Sequence, residues 1–239
     1  MGLAPQADCC RPAGLPTGTQ GYYTTKTAAP VDDPLSLERI RDALIRAPAA
    51  VQAAPDGAVA AAVAVILRQR AGAAEVLLIR RAARDGDPWS GQMGLPGGHR
   101  EPEDDGLLAT AQRETREEVG VDLRVHGRLL GTLPAILARP QLRETPMTIT
   151  PFVFEVSPEV EARSGDEVEE VLWTGVGPLA RHERDTVFDF VRGVHTLRRP
   201  AWNVDGRVVW GLTYEMLTSL FALLPGSATP GGDSAALRR

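Results

Sequence analysis

Three glutamates near the end of one helix carry the clearest chemistry in the chain. Glu114, Glu117 and Glu118 stand at i, i+3 and i+4, so a helix brings their side chains to one side, within reach of a single ion cluster. Hard cations such as Mg²⁺ take oxygen ligands, keep several waters, and are commonly shared between protein carboxylates and substrate phosphates. The same string can be a plain solvated face, with Arg113 bridging to Glu117 at i+4. Two features weigh against that. The acids crowd the C-terminal turn, where the helix dipole already presents negative charge and a basic residue is the usual choice. At ~100° per residue, the apolar stripe Leu107, Leu108, Ala111 and Val119 lies beside Glu114 and Glu118. The acids therefore border the core-facing side, and Arg113 and Arg116 are expected to point outward.

The segment before this helix supplies groups suited to phosphate. Gly97-Gly98 lets backbone approach an ion or phosphate closely. Asp104 is of a type favoured at a helix N-cap. Arg80, Arg81 and Arg84 are placed to engage substrate phosphates, against the alternative that they are strand-end solubility charges. His99, His126, His182 and His195 show no metal-ligand spacing, and Ser90 lacks a nucleophile-elbow context.

These residues must be held by a scaffold that the periodicity outlines. Leu35 to Ala47 has helical spacing at Leu37, Ile40, Leu44 and Ile45. Ala58 to Leu67 and Val76 to Arg80 read as paired strands joined by a polar connection from Arg68 to Ala74. The segment from Arg84 through Asp85-Gly86-Asp87-Pro88 to Gly98 is rich in Gly and Pro and reads as a long loop. A helix from about Asp104 to Val119 is stopped by Gly120 in a left-handed conformation. Gly127 to Leu137, Thr148 to Val156 and Val168 to Trp173 read as strands, and Arg184 to Arg192 gives a weaker strand signal. After Asp205-Gly206 come a short strand, Val208 to Trp210, and an apolar helix, Leu212 to Leu224. Strands interleaved with few helices, without strict βαβ alternation, predict a mixed sheet with helices on both faces. Residues 1–34 and 226–239 lack a sustained apolar period and are expected to be flexible extensions around one domain at 35–225.

Composition narrows the function classes. With 239 residues, 43% of them hydrophobic, the chain can bury a substantial core. The longest apolar stretch, Ala58 to Leu67, is far short of the ~20 residues of a membrane helix, so no membrane partner is expected. A net charge of -5 gives no case for binding a nucleic-acid backbone. Cys9 and Cys10 are adjacent and are the only cysteines, which fits a reducing cytoplasm. The oligomeric state is open, a homodimer being one option.

The loop and helix together resemble the Nudix box, Gly-x5-Glu-x7-Arg-Glu-U-x-Glu-Glu-x-Gly-U, where U is a bulky aliphatic residue. Here it runs from Gly98 through Asp104 to Arg113-Glu114-Thr115-Arg116-Glu117-Glu118-Val119-Gly120-Val121. Asp104 replaces the first Glu, eight residues separate it from Arg113, and Thr115 occupies a usually aliphatic position. The first two departures are common in the Nudix branch that hydrolyses coenzyme A. That branch's upstream signature is similar to Leu77-Leu78-Ile79-Arg80-Arg81-Ala82 and Gly91-Gln92-Met93-Gly94-Leu95-Pro96-Gly97-Gly98. Between these segments there is one residue too many, Arg84 sits one place early, and Leu95 replaces an aromatic. Val209-Trp210-Gly211-Leu212-Thr213 is similar to a helix start of the same branch.

The resemblance implies an α/β Nudix fold, a mixed sheet sandwiched between helices, and a pyrophosphohydrolase dependent on Mg²⁺ or Mn²⁺. Glu114, Glu117, Glu118 and the Gly97 carbonyl would carry the ions, Arg113 would orient the carboxylates, and Asp104 would support them. Glu167 resembles an acid that some members bring from outside the box. Glu114 or Glu167 would take the proton of the attacking water, and Gly98 with Arg80, Arg81 and Arg84 would meet the substrate. Coenzyme A is the substrate favoured. ADP-ribose, nucleoside diphosphate sugars or nucleoside triphosphates are alternatives, and a catalytically silent ligand-binding Nudix domain is a rival of another class.

Overall fold

Ala71 and Gly72 both have positive φ, 49° and 84°, as a two-residue hairpin turn of matching twist requires. They join β1 (Val59–Arg70) to β2 (Ala73–Arg81) in antiparallel register, Arg70 opposite Ala73 and Leu67 opposite Val76. The strands therefore run through most of the segment expected to connect them. Its polar side chains stay in the ladder because they find partners there. Arg68 donates to Glu75 at 2.6 Å across the pair, and its guanidinium lies 3.9 Å above the Trp173 ring. The computed structural model describes residues 35–52, 58–84, 89–138, 145–192 and 195–224. The expected terminal extensions and the turn residues Asp85 to Pro88 lie outside the described residues.

β1 also pairs in parallel with β7 (Met147–Val156), from Val59 opposite Met147 to Leu67 opposite Glu155. Around this pair the main sheet has the order β3-β2-β1-β7-β5, where β3 is Met93–Gly94 and β5 is Gly127–Thr132. Three further strands join it. β4 (Gly97–His99) pairs with β1, β6 (Ile136–Ala138) with β7, and β8 (Val168–Gly175) with β2.

Both faces of β1 and β7 are covered, which is why their apolar runs are nearly continuous. Ala62, Ala64, Ile66, Phe152 and Phe154 face one core with Ala111 and Val119 of α2 (Leu107–Val119). Ala61, Val65, Leu67, Ile149 and Val153 face the other. That second core takes Leu37, Ile40 and Leu44 of α1 (Leu37–Arg46) and residues of two later helices, α4 (Val176–Ala180) and α5 (Gly211–Phe221). A short α3 (Leu123–His126) leads into β5. The mixed sheet between helices is thus the architecture the strand pattern predicts.

A second sheet, β11-β10-β9, is formed by β9 (Asp185–Arg192), β10 (His195–Val204) and β11 (Arg207–Trp210). The weak strand expected from Arg184 exists, and β10 beside it is an element the periodicity does not reveal. Trp202 of β10 is buried in the second core, its ring 4.2 Å from that of Tyr214 and 5.8 Å from that of Phe221. Two expected boundaries move. The strand expected from Gly127 to Leu137 is broken after Thr132, where Leu133 and Pro134 intervene and proline has no amide for a ladder. Helix α2 begins at Leu107 with Gly106 as its N-cap at φ 83°, not at Asp104.

Candidate active site

α2 ends where expected, at Gly120 with φ 70°, its amide donating to the Arg116 carbonyl at 3.1 Å. Packing of Ala111 and Val119 against the sheet turns Glu118 inward as well, and its side chain is only 3% exposed. Its two carboxylate oxygens are both bonded. Oε2 accepts from the Gly97 amide at 2.8 Å and Oε1 from Arg81 Nη1 at 3.2 Å. Burial pushes the carboxyl up to about 7, against the pull of the Gly97 amide and Arg81 and with the charges of Glu114 and Glu167 adding to the rise.

Glu114 lies one turn earlier, over the backbone of β4. A β-carbon on Gly98 would collide with the Glu114 carboxylate, so the second glycine of the pair is required for this approach. The first is fixed by the sheet, since a β-carbon on Gly97, at φ 153°, would strike the backbone of Ala62 and Val63. Burial also raises Glu114 above the ordinary carboxylate range, offset by Arg113 and reinforced by Glu117 and Glu167. Glu117 is half exposed and accepts from Arg113 at 3.0 Å.

Arg113 does not point outward. Its Nε and Nη2 grip the two oxygens of Asp104 at 3.0 Å each, Nη2 also reaches the His99 carbonyl at 3.0 Å, and Nη1 bonds Glu114 and Glu117. Asp104 accepts further from Thr110 Oγ1 and the Glu101 amide, both at 2.9 Å. It therefore anchors the arginine and ties the loop to the helix, which corrects its reading as an N-cap. The Arg113 guanidinium holds the Asp104 carboxyl well below the usual carboxylate range, and Asp104 raises the arginine in turn.

Glu167 arrives from outside the box, just before β8. Its carboxylate accepts from Arg84 Nη1 at 2.9 Å, and its charge acts on both Glu114 and Glu118. Four acids thus share one locale, flanked by Arg81 and Arg84 on or just after β2. Arg80 lies apart, paired with Glu169 at 3.3 Å. Among the described residues no group of three or more acidic, histidine or cysteine side chains is arranged to hold a metal ion, and Arg113, Arg81 and the Gly97 amide bond oxygens of the three box glutamates. The donor chemistry nonetheless fits a hard divalent cation. Every acid is an oxygen donor, and a cation relieves the burial and the neighbouring like charges that raise Glu114 and Glu118.

The sequence pointed to the acids, both glycines and the arginines. It missed the Asp104–Thr110 anchor and the segment that delivers Glu167. An Asp, rather than the usual Glu, nine residues before Arg113 was the only available sign of the first. The second was marked only by Glu167 itself, just before the strand that starts at Val168.

A loop and helix that bring carboxylates beside a glycine-backed strand define a class. The NUDIX domain profile matches residues 58–189, and the chain belongs to that family. It is a Nudix hydrolase, an enzyme of the pyrophosphohydrolase kind. Among its relatives are the mitochondrial coenzyme A diphosphatases NUDT8 of Mus musculus and Homo sapiens. The mouse protein is 30% identical over 81% of this chain and 90% of its own. The human one is 31% identical over 80% of each. An uncharacterized protein of Schizosaccharomyces pombe is 46% identical over 81 residues, 33% of this chain and only 25% of that one. Among solved structures, a NUDIX hydrolase from Alicyclobacillus acidocaldarius is 20% identical, with a TM-score of 0.45 over 71% of this chain and 93% of that one.

Proposed function

We propose that the chain hydrolyses the pyrophosphate of coenzyme A or its derivatives, giving 3′,5′-ADP and 4′-phosphopantetheine, with Mg²⁺ or Mn²⁺ as cofactor. What carries the reading is the likeness to two coenzyme A diphosphatases over four-fifths of the chain, 80% and 81% of it. The Asp104–Arg113 spacing, the branch's variant of the box, agrees with it.

Glu114, Glu117, Glu118 and the Gly97 backbone would hold the cation, which when bound lowers the pKa of a water and offsets charge on phosphate oxygens. Arg113, fixed by Asp104, keeps Glu114 and Glu117 aimed together. Glu114 or Glu167 accepts the proton of the attacking water, both being carboxylates of the same cluster. Arg81, Arg84 and the backbone at Gly98 would meet the substrate phosphates, with Arg80, now paired with Glu169, as a further candidate. We assign the protein to a reducing cytoplasm on its two adjacent cysteines.

Turnover of coenzyme A and of ADP-ribose by the purified protein with Mg²⁺ decides the substrate. Faster release of 3′,5′-ADP from coenzyme A is expected. Cleavage of ADP-ribose at an equal or higher kcat/KM would remove coenzyme A as the substrate and leave the hydrolase assignment standing.

A further inference from the structure

The C-terminal turn of α2 is covered by a segment outside the box. Carbonyls in the last turn of a helix have no partner within it and need donors from elsewhere. Here the Gly165 amide donates to the Glu118 carbonyl at 2.8 Å, and the Arg163 amide donates to the Val119 carbonyl at 3.0 Å. The chain then turns sharply, the Val168 amide reaching back to the Gly165 carbonyl at 3.1 Å. The Glu167 carbonyl accepts from the Ala82 amide at 2.9 Å, which ties this turn to the end of β2. Glu167 is thereby held between the helix that carries the box acids and the strand that carries Arg81.

This closure leaves no room for a side chain at residue 165. A β-carbon there would overlap the Glu117 carbonyl oxygen and lie 3.2 Å from that of Glu118. α2 is fixed by Ala111 and Val119 in the core, so the exposed segment must be the part that moves.

We propose that Gly165 is a positioning residue of the hydrolytic site: its missing side chain lets residues 163–168 close on the end of α2 and set the Glu167 carboxylate beside Glu114 and Glu118. The inference rests on the hydrolase reading above and assigns Glu167 a fixed place in the acid cluster. Glu167 itself is half exposed, so its placement comes from the backbone on either side of it and from Arg84. Backbone placement of this kind is lost when a single methyl group forces the segment outward.

The test compares Gly165→Ala, Glu167→Gln and the double variant by two readouts. One is Mn²⁺ binding to the substrate-free protein, followed by electron paramagnetic resonance. The other is kcat and KM for coenzyme A. Each single variant is expected to weaken Mn²⁺ binding and to lower kcat by about 10- to 100-fold, as small misplacements of reacting groups do. KM stays within about twofold if the loss falls on the chemical step. The double variant is expected to match Glu167→Gln alone, because there is then no carboxylate to place. Wild-type Mn²⁺ binding and turnover in Gly165→Ala, or losses that multiply in the double variant, would overturn the proposal.

Should Gly165→Ala not fold, Glu167→Asp asks the same question by drawing the carboxylate back one methylene from an exposed position. A loss like that of Glu167→Gln supports a fixed place, and wild-type behaviour overturns it. Mn²⁺ binding needs no substrate, so a wrong choice of substrate leaves that half of the test intact.

Discussion

Replacing Glu118 with Gln removes a charge that the fold buries at a cost, and the cost depends on pH in a calculable way. Glu118 rises from 4.5 to about 7 on folding, mainly because burial disfavours its charged form. At 1.36 kcal/mol per pH unit, holding the carboxylate ionised costs about 3 kcal/mol of stability once the pH is above both values. The sign follows from proton counts. Between 4.5 and 7 the folded state binds more protons than the unfolded one, so stability falls as pH rises through this window and levels off beyond it. Gln removes the charge but weakens the bond to Arg81, which offsets about 1 kcal/mol. The variant should therefore match the wild type near pH 5 and exceed it by about 2 kcal/mol at pH 8. Urea unfolding of both proteins in EDTA at the two pH values measures the difference, and turnover of the variant should be abolished. A variant less stable at both pH values, or a difference that ignores pH, would refute the reasoning.

The other consequences concern the groups around Glu118. Asp104→Asn leaves Arg113 without its bidentate partner and should cost about 3 kcal/mol at pH 7, read by urea unfolding. Because Asp104 is depressed in the folded state, its contribution is full above its ordinary 3.8 and is lost as pH falls below that value, so the gap between wild type and variant should close in acid. Gly98→Ala drives a methyl group into the Glu114 carboxylate, the free end of a side chain that can swing aside; kcat should fall by about 100-fold while thermal unfolding stays close to that of the wild type.

The layered sheet was legible because β1, β2, β7 and β8 are long enough for their apolar runs to stand out. β3 and β4 were hidden inside a glycine-rich stretch, two and three residues long, where no period can be seen. β10 was hidden differently, its apolar residues interrupted by Arg198-Arg199-Pro200. Trp202 and Val204 mark its inner face only once the partner strands are known. The box residues announced themselves by spacing, but spacing says nothing of what an arginine grips. Arg113 looked outward on a bare helical wheel and turned inward because Asp104, held by Thr110 of the helix itself, and the His99 carbonyl lie on a loop that folds back over the helix. Gly165 was invisible for the same reason, since its role depends on a carbonyl 48 residues earlier in the chain, on Glu117.

The family match stops at residue 189, inside β9, while the core does not. Trp202, Val204 and Val209 of the second sheet and Leu217, Leu220 and Phe221 of α5 fill the same apolar layer as Leu37, Ile40 and Leu44. A chain cut where the recognisable domain ends would lose one wall of that layer and leave a strand edge open to other molecules. The stretch past residue 189 is thus no detachable accessory. A change made there to alter what the enzyme accepts is also a change to what keeps the catalytic helix's scaffold folded, and the two outcomes must be screened together.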